Sequence, residues 1–172
     1  MKGVVLAGGL GTRLLSLTRI TNKHLLPIYD RPMIFYPIQT LVEAGISDIQ
    51  IVTGGNNAGD FLRLLGNGEE FGLRHLNYTY QRGEGGIAEA LGLCEHFAGG
   101  EPIVVILGDN IVERSIHPFV RRFAFKSRDN ASISRRWASI GLVATDEWPS
   151  FASSAANTWL YVRRFATTIT LL

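Results

Sequence analysis

Lys2 to Ala7 is apolar on both faces and runs directly into Gly8-Gly9-Leu10-Gly11-Thr12-Arg13. A strand without polar alternation must be covered on both sides, which in practice means a parallel sheet held between two helical layers. Three further runs read as strands: Asp48 to Thr53, closed by Gly54-Gly55; His75 to Gln81, which alternates; and Ile103 to Leu107, which ends at Gly108-Asp109-Asn110. Between them lie helical patterns. Ile34, Ile38, Leu41 and Val42 recur at helical spacing across Met33 to Ala44, with Gly45 as a stop; Asp60 to Leu65 reads as a short helix; Ile87 to Phe97 has helical periodicity. This alternation predicts a doubly wound α/β fold with a mostly parallel sheet and right-handed crossovers. Ligands in such sheets bind beyond the carboxyl ends of the strands. The glycine loop and Asp109 therefore share a site if the first and fourth strands are neighbours.

Phosphates require backbone N–H groups that can approach closely, and Gly8, Gly9 and Gly11 permit that approach. A polyphosphate also requires fixed cations. Arg13 offers a planar fork of donors and Lys23 a compact ammonium. The dinucleotide pattern G-x-G-x-x-G, started at Gly9, fails because its third position is Leu14, and the Walker pattern fails because no Gly-Lys-Ser/Thr follows. Taken alone, the loop is equally consistent with a tight strand-to-helix turn. Asp109, placed after a buried strand, suits Mg²⁺, which takes one or two carboxylates plus phosphate oxygens; a helix N-cap is the alternative. Gln81 ends the third strand with an amide that both donates and accepts, as reading a pyrimidine edge requires, and is otherwise an exposed strand-end amide. Cys94 reads as a small buried apolar residue, and Tyr29, Phe35 and Tyr36 as core aromatics.

Composition sets the bounds. With 172 residues, 46% of them apolar, the chain can bury one sizeable core. Its net charge of +2 is uneven: up to Phe123 there are 11 Lys and Arg against 12 Asp and Glu, and beyond it 6 against 3. No face gathers a basic stripe, which argues against nucleic acid as a partner. No run approaches the ~20 apolar residues of a membrane span. The apolar start leads into a glycine loop rather than a small-residue cleavage site, so the expected compartment is the cytoplasm, with no membrane partner. One cysteine and four scattered histidines give no zinc spacing.

Five motifs in order resemble the sugar-1-phosphate nucleotidyltransferases, and within them the thymidylyltransferase branch. They are Val5-Leu6-Ala7-Gly8-Gly9-Leu10-Gly11-Thr12-Arg13-Leu14, Asn22-Lys23-His24-Leu25-Leu26-Pro27, Arg31-Pro32-Met33-Ile34, Gly85-Gly86-Ile87-Ala88-Glu89-Ala90-Leu91 and Leu107-Gly108-Asp109-Asn110. The resemblance covers about residues 1–123. It implies a Rossmann-like core that joins dTTP to glucose 1-phosphate, giving dTDP-glucose and pyrophosphate. UTP or GTP with another hexose 1-phosphate is the variant reading. It further implies Arg13, Lys23 and Asp109 as catalytic residues, Asp109 as the Mg²⁺ ligand, and Leu6, Gly8, Gly9, Gly11, Thr12, Arg13, Gln81 and Gly86 as the nucleotide-binding set. Members commonly form oligomers, so a homo-oligomer is expected. His24 stands where a glutamine is common, and Arg82-Gly83-Glu84-Gly85 departs from the usual proline-containing segment.

After Phe123 the character changes. All three tryptophans and seven of the ten serines lie there, with one of the nineteen glycines. Residues 124–172 are expected to form an atypical tail, separate from a core spanning residues 1–123. Trp159 to Phe165 and Thr167 to Leu172 have strand character. Members of the resembled family continue with a Glu-Lys-Pro motif, a sugar-binding surface and a second metal-binding aspartate, none of which occurs here. A shifted reading frame is one origin for such a tail, and a non-catalytic nucleotide-binding remnant is the alternative function.

Overall fold

A computed structural model of the chain describes residues 1–8, 21–83, 85–129 and 139–141, of which 56, 125–129 and 139–141 are described by backbone alone. In chain order the elements are β1 (Lys2–Ala7), the paired strands β2 (Pro27–Ile28) and β3 (Arg31–Pro32), α1 (Phe35–Glu43), β4 (Asp48–Gly54), α2 (Ala58–Leu65), β5 (His75–Gln81), α3 (Gly86–Gly92), α4 (Glu95–Ala98), β6 (Ile103–Leu107), α5 (His117–Asp129) and β7 (Ser139–Gly141). Five strands form one sheet in the order β5-β4-β1-β6-β7, with every neighbouring pair parallel. β1 lies between β4 and β6, in registers that set Leu6 beside both Val52 and Leu107. The first and fourth strands expected from the sequence are therefore neighbours.

Alternate residues of the central strands feed two cores, as the two-fold side-chain period requires. Val5, Ala7, Ile49, Ile51, Val104 and Ile106 pack on one face beneath Ile34 just before α1, Ile38 and Leu41 from α1, Phe61 and Leu65 from α2, and Val120 from α5. Val4, Leu6, Val52, Ile103 and Val105 pack on the other, beneath Ala90, Cys94 and Ala98. The four-residue spacing of these small residues keeps one stripe on the sheet although the expected single helix breaks into α3 and α4. Cys94 is fully buried. Gln50, pointing into the same layer, donates to Thr79 Oγ1 at 2.7 Å and to Cys94 Sγ at 3.4 Å, so its burial leaves its amide N–H groups paired. β5 alternates because it ends the sheet.

The β2–β3 pair is a small antiparallel hairpin below α1. Tyr29 sits at its tip with φ 60° and is 99% exposed, so it is not a core aromatic as its sequence context suggests. Tyr36 is half-buried and its hydroxyl donates to the Ile28 carbonyl at 2.9 Å, fastening the hairpin to the first turn of α1. α5 runs through position 123 to Asp129, and β7 pairs with β6 beyond it. The segments 159–165 and 167–172 lie outside the described residues. Among the described residues no helix is long and apolar enough to cross a membrane.

Candidate active site

All strands of a parallel sheet end on the same side, and here the ends of β1, β4, β5 and β6 converge. Backbone crowding at this edge explains two of the glycines. A Cβ on Gly108 would lie 2.7 Å from His24 Cδ2 and 3.1 Å from the Leu6 carbonyl oxygen, and one on Gly8 would lie 3.0 Å from Gln81 Oε1. All three distances are shorter than ordinary van der Waals contact.

The turn that supplies the cation is held by Asn22. Residues Lys23–Leu25 form one 3₁₀ turn, and Asn22 caps it: its Oδ1 accepts from the His24 N–H at 3.0 Å, and its Nδ2 donates to the Ala7 carbonyl at 3.4 Å. These partners determine which way the amide points. Because Oδ1 only accepts, the 2.7 Å contact with His24 Nδ1 makes that ring nitrogen the protonated one. His24 is buried against Gly108, and burial, followed by the charge of Lys23, pushes its pKa down to about 4 despite the opposing pull of Asp109. The ring is thus a neutral structural wedge at pH 7.

Lys23, next in the chain, projects into the cleft and its ammonium donates to Asp109 Oδ2 at 2.7 Å. Asp109 follows β6 directly. Burial opposes its ionisation, but the Lys23 hydrogen bond, the Lys23 charge and, in acid where that ring is protonated, the charge of His24 together outweigh burial and hold its carboxyl below the usual range. The pair is partly exposed, with side-chain exposures of 27% and 35%.

Gln81 is buried at the end of β5, with 5% exposure, rather than displayed as a strand-end amide. Its Nε2 donates to the Gly86 carbonyl at 3.0 Å and to Glu89 Oε2 at 3.1 Å.

Leu6, Gly8, Lys23, Gln81, Gly86 and Asp109 line one open cleft of about 280 Å³, together with His24, Gly83, Ile87, Ala90 and Leu107. Six residues picked from sequence therefore face a common space. Gly9, Gly11, Thr12 and Arg13 lie outside the described residues. Sequence reasoning missed Glu89 and Ile87 as parts of the site, although both fall in a motif it had singled out; helical periodicity marked that stretch as packing, which hid a polar reach backward along the turn. It also treated His24 as incidental, whereas the ring supports the end of β6.

The donor set fits Mg²⁺. Among the described residues no group of three or more His, Cys, Asp or Glu forms a protein cage. An ionised Asp109 in an open cleft is the arrangement expected when phosphate oxygens complete the coordination.

The chain matches the nucleotidyl transferase family model over residues 2–143. A glucose-1-phosphate thymidylyltransferase of Actinoplanes sp. is 46% identical over 123 residues, 71% of this chain and 40% of the relative. One from Neisseria gonorrhoeae is 50% identical over 111 residues, 64% of this chain and 38% of the relative. The chain thus spans about two fifths of the length of these curated relatives. A Bacillus anthracis structure assigned as a glucose-1-phosphate thymidylyltransferase, in complex with a sucrose, superposes with a TM-score of 0.70 at 50% identity, covering 73% of this chain and 50% of that one. A UDP-glucose pyrophosphorylase bound to UDP-glucose superposes at 0.59 with 25% identity, covering 73% of this chain and 54% of that one. Because the family model matches residues 2–143, a span that runs from β1 through β7, this chain belongs to the nucleotidyl transferase family.

Proposed function

We propose that the cleft binds a nucleoside triphosphate, dTTP by preference, and that the chain carries the nucleotide half of a glucose-1-phosphate thymidylyltransferase. The observation that carries this reading is the convergence of Lys23, Asp109, Gln81 and Gly86 at the sheet edge, one cation and one carboxylate at one end and an amide at the other. The curated relatives named above support the choice of substrates.

A sugar phosphate is already an anionic nucleophile, so the reaction needs positioning and charge neutralisation more than a general base. One oxygen of the sugar phosphate attacks the α-phosphorus in line, the bond from the α-phosphorus to the bridging oxygen breaks, and pyrophosphate leaves with that oxygen. Lys23 neutralises phosphate charge as it builds, and Arg13 holds the departing pyrophosphate. Asp109 would hold Mg²⁺, which supplies Lewis-acid neutralisation of the phosphate oxygens when bound. The hydrogen bond from Lys23 keeps Asp109 ionised and ready for a cation. Gln81 and Gly86 meet the base.

One other reading is a remnant that binds nucleotide without turnover, because the sequence after Phe123 carries none of the sugar-binding motifs of the resembled family. Pyrophosphate release measured with dTTP, glucose 1-phosphate and Mg²⁺ separates the two. Sugar-dependent release that Arg13→Ala abolishes supports the transferase; dTTP binding without release supports the remnant. No binding of any triphosphate refutes both.

A further inference from the structure

Gln81 could present its side-chain amide to the cleft in either of two orientations, and the structure contains a device that selects one. Its Nε2 carries two N–H groups, and both are used within the chain, on the Gly86 carbonyl at 3.0 Å and Glu89 Oε2 at 3.1 Å. Both partners are acceptors only. Rotating the amide by half a turn would place its carbonyl oxygen against two lone-pair oxygens, one of them on a carboxylate. The orientation is therefore dictated by chemistry and not merely by the placement of atoms that resemble one another. What remains to face the cleft is Oε1, directed toward Gly8, where an added Cβ would come within 3.0 Å of it.

Glu89 is one turn into α3 and reaches back toward Gly85, and its carboxylate occupies the space that a Cβ on Gly85 would need. A side chain at position 85 would expel that carboxylate from Gln81. Two residues in separate positions thus secure one amide.

Building on the assignment of the cleft to a triphosphate, we propose that Glu89 is a positioning residue that sets base specificity. By locking Gln81 with its acceptor outward, it selects a pyrimidine that carries a proton on N3, as thymine and uracil do, and rejects cytosine, whose N3 offers a second lone pair. Thymine and uracil are not distinguished by this contact. The 5-methyl group must be read elsewhere.

The test is equilibrium binding of dUTP, dCTP and inorganic tripolyphosphate to the full chain with Mg²⁺, since the two nucleotides differ only at the base edge. The unaltered protein is expected to prefer dUTP. Glu89→Met, which loses the acceptor, and Gly85→Ala, which displaces it, are each expected to reduce the dUTP/dCTP preference about tenfold, the scale of one lost charge-assisted hydrogen bond. Tripolyphosphate affinity should not move. Glu89→Gln, which retains an acceptor, is expected to keep most of the preference, a rescue that a merely structural role would not produce. If dUTP is preferred and neither Glu89→Met nor Gly85→Ala changes the ratio, Glu89 has no such role while the triphosphate site stands. If neither nucleotide nor tripolyphosphate binds, the triphosphate assignment falls and this proposal falls with it.

Discussion

His24 makes the stability of this fold sensitive to mild acid. Its ring is buried at 3% exposure, protonated on Nδ1 by its contact with Asn22, and has a pKa pushed down from 6.5 to about 4. The unfolded chain therefore takes up the proton first as the pH falls. The contribution of the neutral ring is complete above pH ~6.5, declines as the pH drops from there, and is exhausted below ~4. Linkage puts the loss at about 2 kcal/mol between pH 7 and pH 5, with a ceiling of about 3 kcal/mol. The measurement is urea unfolding of the full chain at pH 7, 6 and 5, beside His24→Gln. A glutamine amide can still donate to Asn22 Oδ1 but has nothing to titrate. Carboxylates held below their usual range, such as Asp48 and Glu101, lose their share at lower pH and are common to both proteins. The variant should lose about 2 kcal/mol less than the parent between pH 7 and 5. Equal losses would refute the claim that burial of this ring governs the acid response.

Three other outcomes are expected. Asp109→Asn should reduce sugar-dependent pyrophosphate release by about a hundredfold or more through loss of the metal ligand, while chemical denaturation shows a change under ~1 kcal/mol because the Lys23 pair is about a third exposed. Gly108→Ala places a methyl group 2.7 Å from the buried His24 ring and 3.1 Å from the backbone of β1, neither of which can retreat freely. A loss of about 1–3 kcal/mol, read as a lower thermal midpoint, is the expected result. Gly8→Ala is tolerated by its backbone but sets its methyl 3.0 Å from Gln81 Oε1; dTTP affinity by calorimetry should fall about tenfold with little change in stability.

The sheet was legible because burial on both faces writes itself into composition. Val4-Val5-Leu6-Ala7 and Ile103 to Leu107 could be nothing else at that length, and the pairing of β1 with β6 followed once Gly8 and Asp109 were required to meet. The hairpin at Pro27–Pro32 was not legible, since strands of two residues have no period, and Tyr29 looked apolar enough for the core although a turn places it in solvent. In the site, residue types with strong chemical preferences could be found: Lys23, Asp109 and Gln81 stand at strand ends or in short turns. Glu89 was hidden because its role depends on a reach of one helical turn back over Gly85, which only coordinates reveal. The wedge formed by His24 was equally invisible, because its meaning lies in Gly108, eighty-four positions along the chain.

The central place of β1 carries a consequence for how the molecule is made. Of the strands in the sheet β1 is made before the others, yet one of its two partners is β6, and the Met1 ammonium meets Glu101 at 3.0 Å, a hundred positions away. Until residues beyond Leu107 have emerged, that flank of β1 has no neighbour, and closing so long a loop is slow. During synthesis the nascent chain therefore holds a bare apolar ribbon for at least the several seconds that a hundred residues take to be added. Chaperone dependence in the cell would trace to β1, which waits for β6.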